Sequence, residues 1–261
     1  MSGAHARIIG VGKTYTSRTK TVEALAPVTL DLKPDEFTTL IGTSGCGKST
    51  LLHIVAGLES STVGLVEVDG QEVHGPGRDR GMVFQSYTLF PWLTVQRNVE
   101  FALKDIGLSR REQRERAREY LDLVGVSEFA NAMPSQLSGG MRQRVAIARA
   151  LSYQPRMLLM DEPFGALDAQ TRQEMQELLL RVWDAHKLNV LFVTHDIDEA
   201  IFLSDRIIML AGRPGRVKLD LRPEIPRPRS MDLLTSTELM HHKSQLLSAL
   251  REEGREATAL K

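Results

Sequence analysis

The stretch Phe37-Thr-Thr-Leu-Ile-Gly-Thr-Ser-Gly-Cys-Gly-Lys-Ser-Thr-Leu-Leu-His-Ile-Val-Ala56 decides how this chain is read. Residues 37–41 are apolar or β-branched and predict a short strand. Ser49 to Ala56 predict a helix, with Gly57 placed to cap its C-terminus. Between them Gly42, Thr43, Ser44, Gly45, Cys46, Gly47, Lys48, Ser49 and Thr50 follow the pattern of a glycine, four residues, then Gly-Lys-Ser. The glycines let the backbone turn so that its N–H groups converge on phosphate oxygens. The following helix adds its positive N-terminal end. Lys48 is then a point charge for the β- and γ-phosphates, and the Ser49 hydroxyl can take one position on a bridging Mg²⁺. The alternative, a glycine-rich turn with a chance lysine, does not account for a strand before it and a helix after it. The expectation is a site that binds and hydrolyses ATP. Cys46 inside the loop leaves two readings: a spacer whose backbone does the work, or a thiol whose pKa is lowered near a helix end.

Outward from the loop, the chain alternates strand and helix signals. Residues 6–11 read as a strand, residues 63–69 alternate apolar and polar, and Asp69-Gly70 marks a hairpin turn. Met82 to Phe84 is a further short strand. The run MLLM at 157–160 is continuously apolar, the sign of a buried parallel strand. A helix over about 169–186 leads to VLFV at 190–193 and then to RIIML at 206–210. Such alternation implies a mostly parallel sheet with right-handed crossovers. Between Gln85 and Tyr153 there are helix signals and no convincing strand. Ser109 and Glu112 form a capping box, and Ala117, Leu121 and Val124 share one face of the helix that follows.

Near Arg222 the texture changes. RPEIPRPRS, residues 222–230, has three prolines in nine residues and reads as a linker. Residues 232–253 read as a helix with Leu239, Leu246 and Leu250 on one stripe. That helix either covers a sheet edge or contributes to dimer contact or regulation.

The 261 residues carry 33 Lys plus Arg against 33 Asp plus Glu, so global charge gives no support for a nucleic-acid protein. The arginine-rich run SRREQRERAR at 109–118 has acids interleaved. Glu112 with Arg116 and Glu115 with Arg118 suggest a solvated helix with internal pairs. One cysteine excludes an internal disulfide. No apolar run is long enough to cross a bilayer, and no secretory leader is apparent at the N-terminus. Work at a membrane would therefore require holding another chain.

Two further motifs narrow the class. MLLMDEP, 157–163, ends a strand in two acids: Asp161 is placed to hold Mg²⁺ through water, and Glu162 to point at a water attacking the γ-phosphate. LSGGMRQ, 137–143, sets Ser138 at an N-cap before Gly139 and Gly140, a second anion-suited helix end. GTSGCGKST, LSGGMRQ and MLLMDEP in this order resemble the nucleotide-binding subunit of ABC transporters over about residues 6–217. The resemblance implies an α/β fold: a P-loop NTPase core with a mostly parallel sheet, an N-terminal antiparallel β portion and an inserted helical subdomain at about 86–153. On this basis residues 1–221 form the ATPase domain, and residues 222–261 form a proline-rich linker and helical tail.

By the same resemblance Tyr15 stacks on adenine, and Gln85 touches Mg²⁺ and the water and senses the membrane partner. Asp168 lies in a loop that meets the opposing subunit, and His195 contacts the γ-phosphate and positions Glu162. Ser138, Gly139, Gly140 and Gln143 act in trans on the ATP of a facing copy. No expected motif residue is replaced. The family implies a homodimer or paired ATPase subunit, integral membrane permease subunits, indirectly a periplasmic solute-binding protein, and a peripheral place on the cytoplasmic face of a bacterial inner membrane. The cluster Leu89, Phe90, Trp92 and Leu93 either packs in the core or lines a groove for a permease helix. FPWLTVQRNV, HDIDEAIFLSDRIIML and GRPGRV are similar to the importer branch for nitrate, sulfonate and taurine, with relatives that move pyrimidine vitamin precursors. A phosphate-loop kinase would leave LSGGMRQ and His195 without a role. A non-transport ABC ATPase would ordinarily carry two cassettes or a long coiled-coil insertion.

Overall fold

In a computed structural model, which describes residues 3–104 and 106–259 with side chains as far as Glu253, the strands form two sheets. The larger has the order β10(Arg216–Leu221), β9(Arg206–Ala211), β3(Phe37–Gly42), β8(Asn189–Val193), β7(Met157–Asp161), β6(Arg80–Val83). Its neighbours are parallel except β10, which runs antiparallel to β9. Every residue of β3, β7, β8 and β9 is buried, as expected of strands covered on both faces. The smaller sheet is antiparallel, in the order β2(Thr21–Leu32), β1(Ala6–Thr16), β4(Val63–Val68), β5(Gln71–Glu72). Asp69 and Gly70 turn the β4–β5 hairpin with φ of 52° and 76°, the left-handed pair that a two-residue hairpin needs.

Helix α1(Lys48–Val55) lies between the sheets. Leu51, Leu52 and Val55 pack with Ile8, Val28 and Val66 of the small sheet and with Leu40, Leu159 and Leu191 of the large one. The other face of the large sheet is covered by α2(Val95–Ala102), α3(Arg110–Leu123), α4(Gly139–Leu151) and α5(Ala169–His186). The capping box at Ser109 and Glu112 is present, and Ala117, Leu121 and Val124 are buried. The charge pairs of α3 differ from the expected ones. Glu112 accepts from the Ser109 backbone N–H, and Glu115 reaches back to Arg111 at 3.7 Å. Capping engages the first carboxylate, and the second takes the nearer guanidinium.

Two strands were not legible. β2 contains Pro27, which falls where the β1–β2 register breaks, and the strand lies at a sheet edge, where proline is tolerated. β10 alternates apolar and charged residues at an edge of the larger sheet.

The proline-rich segment has no regular structure, as expected, but it is not a free linker. Arg229 donates to the carbonyls of Ile201, Phe202 and Ser204, at 3.2, 3.0 and 2.9 Å. These close the C-terminal end of α6(Ile197–Leu203), where carbonyls lack intrahelical partners and a cation is favoured. Burial, with Arg227 adding to it, pushes the Arg229 guanidinium down to about 10. Arg227 bonds Asp205 at 2.9 Å and lies 4.0 Å from the Trp183 ring. Beyond this strap, Leu239 and Leu246 of α7(Thr237–Ala259) are buried among Ile41, Ala200, Ile201, Ile207 and Met209. The tail helix thus covers α6 and a face of the large sheet, which is more than an edge.

Leu246 is fully buried and Met240 is 55% exposed on the same helix. Leu246→Ala is expected to cost about 2–5 kcal/mol in urea unfolding, and Met240→Ala less than about 0.5 kcal/mol. Equal, small losses would show that the tail does not share the core.

Candidate nucleotide site

Four neighbouring parallel strands bring the expected residues to one edge. The order β3, β8, β7, β6 places the phosphate loop, His195, Asp161 with Glu162, and Gln85 side by side at the carboxyl ends of the strands. That is where open α/β sheets bind ligands. The ladder continues past the strands: Thr194 N–H donates to Leu40 O at 3.2 Å and Glu162 N–H to Val193 O at 2.9 Å.

The loop is shaped by close backbone approach. Gly42, Gly45 and Gly47 have φ of 148°, 80° and 89°. A Cβ on Gly42 would lie 2.0 Å from Leu210 O, and one on Gly47 would lie 2.9 Å from Ala24 O. Gly47 is the N-cap of α1, so the N–H groups of its first turn have no intrahelical acceptor and are available to an anion. Lys48 is buried, its ammonium held by Gly42 O at 2.8 Å and Thr43 O at 3.1 Å. A cavity of about 360 Å³ opens over the loop, and Ser44, Gly45, Gly47, Lys48, Ser49, Thr50, Glu162 and His195 line it.

Glu162 is a non-glycine residue at φ 41°, a conformation that costs free energy and needs support. Its backbone N–H bonds Val193, and its carbonyl accepts from Gly165 at 3.2 Å. Its Oε2 lies 3.1 Å from His195 Nδ1. The arrangement engages one of the two carboxylate oxygens. Ser49 Oγ donates to Asp161 Oδ1 at 2.9 Å, and His53 Nε2 stands 3.5 Å from Asp161 Oδ2. Burial raises the Asp161 carboxyl above the ordinary range, and the Ser49 hydrogen bond offsets this only in part. A carboxylate so disfavoured, facing a hydroxyl, is a pair of oxygens that a hard cation such as Mg²⁺ would fit.

The other expected residues lie apart from the cavity. Tyr15 is half-exposed on β1, with the Lys13 ammonium 4.9 Å from its ring centre, and Ala24 of β2 is the residue of that sheet that lines the cavity. Gln85 is exposed two residues beyond β6 and is not a lining residue. Asp168 caps α5, receiving the Thr171 N–H at 3.0 Å and its hydroxyl at 2.7 Å, which hold its carboxyl below the ordinary range. Ser138 caps α4 and is exposed. A Cβ on Gly139 would meet Tyr87 Oη at 3.0 Å, and one on Gly140 would meet Thr171 Cγ2 at 2.5 Å, so these glycines also let α4 approach its own chain. Gln143 is fully buried and does not present itself to a second copy in this form.

The lowered-pKa reading of Cys46 is overturned. The thiol is buried among apolar side chains, and desolvation pushes it up despite Lys48 Nζ at 3.9 Å. Two neighbours of the site escaped the sequence reading: His53 beside Asp161, and Arg213, whose guanidinium bonds Ser44 O at 2.9 Å.

A strand, glycine loop and helix with Lys48 and Ser49, an acidic strand end and a glutamate–histidine pair together define a nucleoside triphosphatase of the phosphate-loop class. Comparison with known proteins narrows this. The family model described as ABC transporter matches residues 25–165. The chain is 45% identical over 258 residues to the nitrate import ATP-binding protein NrtD of Synechocystis, covering 97% of this chain and 96% of that protein. It is 45% identical over 223 residues to the aliphatic sulfonates import ATP-binding protein SsuB of Bacillus cereus, covering 85% and 88%. The solved dimeric ATP-binding cassette MJ0796, in a post-hydrolysis state with ADP and Pi, superposes with a TM-score of 0.75 at 38% identity, covering 83% of this chain and 98% of that one. This chain belongs to the ABC transporter family, as an ATP-hydrolysing cassette.

Because the Cys46 thiol is buried and its pKa raised, the thiolate fraction at pH 7.5 is small. Iodoacetamide is expected to label the folded chain at least about a hundredfold more slowly than the urea-unfolded chain, with the rate rising toward alkaline pH. Equal labelling rates in the two states would contradict this placement.

Proposed function

We propose that this chain powers a bacterial importer of small oxyanions, acting as a dimer with two shared ATP sites, on the cytoplasmic face of the inner membrane. The observation that carries the dimer is the separation of two anion-suited helix ends. The N-terminus of α1 lines the cavity, whereas Ser138, Gly139 and Gly140 at the N-terminus of α4 do not. One helix end only partly offsets the charge of a γ-phosphate. A facing copy brings the second, so that ATP joins the two chains and hydrolysis weakens the joint.

Within each site Lys48 and the loop N–H groups hold the phosphates. Glu162 takes a proton from the attacking water, a role worth on the order of 10²–10⁴-fold, while His195 fixes its orientation. Ser49, and Asp161 through water, would hold Mg²⁺, which would supply positive charge to offset that of the phosphates. Tyr15 stacks on adenine, Gln85 reports on the membrane partner, and Asp168 meets the facing copy.

A permease groove is supported by the segment after Gln85. Leu89 packs against the core, whereas Trp92 is 70% exposed and Phe101 43% exposed, and Phe90 stands between them with ring centres 5.6 and 4.6 Å away. The aromatic cluster offers apolar surface to a cytoplasmic helix of a membrane subunit. Relatives named for nitrate, aliphatic sulfonates and bicarbonate share a small oxyanion as cargo, which a periplasmic binding protein would deliver.

The test is uptake in cells lacking this chain, with nitrate, bicarbonate, taurine and alkanesulfonates compared against a pyrimidine precursor. The wild-type chain is expected to restore uptake of one of the oxyanions. Ser138→Arg is expected to restore none and to lose hydrolysis, while still binding ATP as a single chain. Restoration by Ser138→Arg would remove the shared site, and restoration of the pyrimidine alone would remove the oxyanion reading.

A further inference from the structure

The turn Gly212-Arg-Pro-Gly215, between β9 and β10, has no part in the chemistry described so far, yet it is built into the phosphate loop. Gly215 N–H donates to Ala24 O at 3.1 Å, and Gly215 O accepts from Ala26 N–H at 2.9 Å, tying the turn to β2. A Cβ on Gly215 would lie 2.0 Å from Cys46 O. On the other side Arg213 Nη2 donates to Ser44 O at 2.9 Å. Its guanidinium lies close against Gly45, where a Cβ would stand 2.7 Å from Nη2 and 3.1 Å from Cζ. The turn therefore meets the loop at two carbonyl oxygens, those of Ser44 and Cys46, on either side of Gly45.

We infer that Arg213 is a positioning residue for ATP, acting through the Ser44–Gly45 peptide plane. In a trans peptide the carbonyl and the following N–H point in opposite directions within one rigid plane. Holding Ser44 O outward by a charge-assisted hydrogen bond therefore sets the direction of the Gly45 N–H. Gly45 at φ 80° has no side chain to restrain that plane, and it lines the cavity. Without the guanidinium, the loop must spend conformational entropy to order the same plane when ATP arrives. The guanidinium also places a positive charge beside the loop, and it is not among the residues that line the cavity.

This inference rests on the reading of Gly42–Thr50 as the phosphate cradle, and the experiment separates the two. Steady-state ATPase kinetics, equilibrium ATP binding and thermal unfolding are measured for the full chain and for Arg213→Ala, Arg213→Lys, Arg213→Gln and Lys48→Ala. Loss of one charge-assisted hydrogen bond predicts a KM for ATP about tenfold higher in Arg213→Ala, with kcat within about twofold. Arg213→Lys, which keeps a charged donor, is expected to recover at least half of the logarithmic loss, and Arg213→Gln less. An unchanged KM in Arg213→Ala would overturn the inference. So would a fall in kcat and melting temperature with KM unmoved, which is the mark of a merely structural contact. If Arg213→Ala does not fold, the order of KM, wild type below Lys below Gln, carries the test, and wild-type KM in both variants overturns it. Normal ATP binding by Lys48→Ala would instead refute the cradle itself.

Discussion

Everything in this chain depends on a backbone held open for an anion. A phosphate cradle made of N–H groups cannot hold itself, because the conformations that converge the N–H groups are ones the chain rarely adopts. The support comes from three sides at backbone contact distance. Leu210 O faces Gly42, Ala24 O faces Gly47, and Gly215 lies against Cys46 O. Each contact removes the room a side chain would need, so the glycines answer both to torsion and to space. The small antiparallel sheet thereby gains a function: β2 brings Ala24 to the loop, and the β9–β10 turn is fastened to β2.

The same logic of support recurs at the catalytic edge. Glu162 sits in a left-handed conformation that isolated chains avoid, and it is kept there by the Val193 carbonyl, Gly165 and His195. Burial raises the Asp161 carboxyl above its ordinary range, with Ser49 and His53 beside it. A loop of unusual φ, a strained glutamate and a desolvated aspartate meet at one edge of the sheet, and each costs free energy that the surrounding contacts offset. In the proposed dimer the site is completed across a surface, which accords with the capped and exposed N-terminus of α4 lying outside the cavity that its own α1 helps to form. Binding energy stored between two chains can be released by a chemical step in either site, which is what a transport motor requires.

The central strands, α1, α3 and α5 were legible because their signals are local. Continuous apolar runs mark strands buried on both faces, and a capping box or a Gly-Lys-Ser motif depends on residues three or four apart. His195 was named through the resemblance, and Glu162 on the resemblance as much as on its strand end; the two strands are neighbours in the sheet, which brings the side chains to 3.1 Å. What escaped was long-range or compensated. β2 hides behind Pro27 at a register break, and β10 behind its charged outer face. The proline segment reads as loose because no local rule shows that Arg229 will find the end of α6, some 25 residues earlier in the chain. Cys46 was ambiguous because a helix N-terminus and an apolar neighbourhood push a thiol in opposite directions, and only packing shows that burial wins. Gln143 belongs to a motif in sequence and to the interior in space.

The measurement that bears most directly on the shared site is sedimentation velocity of Glu162→Gln with ATP, with ADP and without nucleotide. The variant keeps the cradle and the capped α4 terminus but cannot take the proton from water. The account predicts a stable dimer with ATP and a monomer in the other two conditions. A variant that is saturated with ATP and remains monomeric would contradict it.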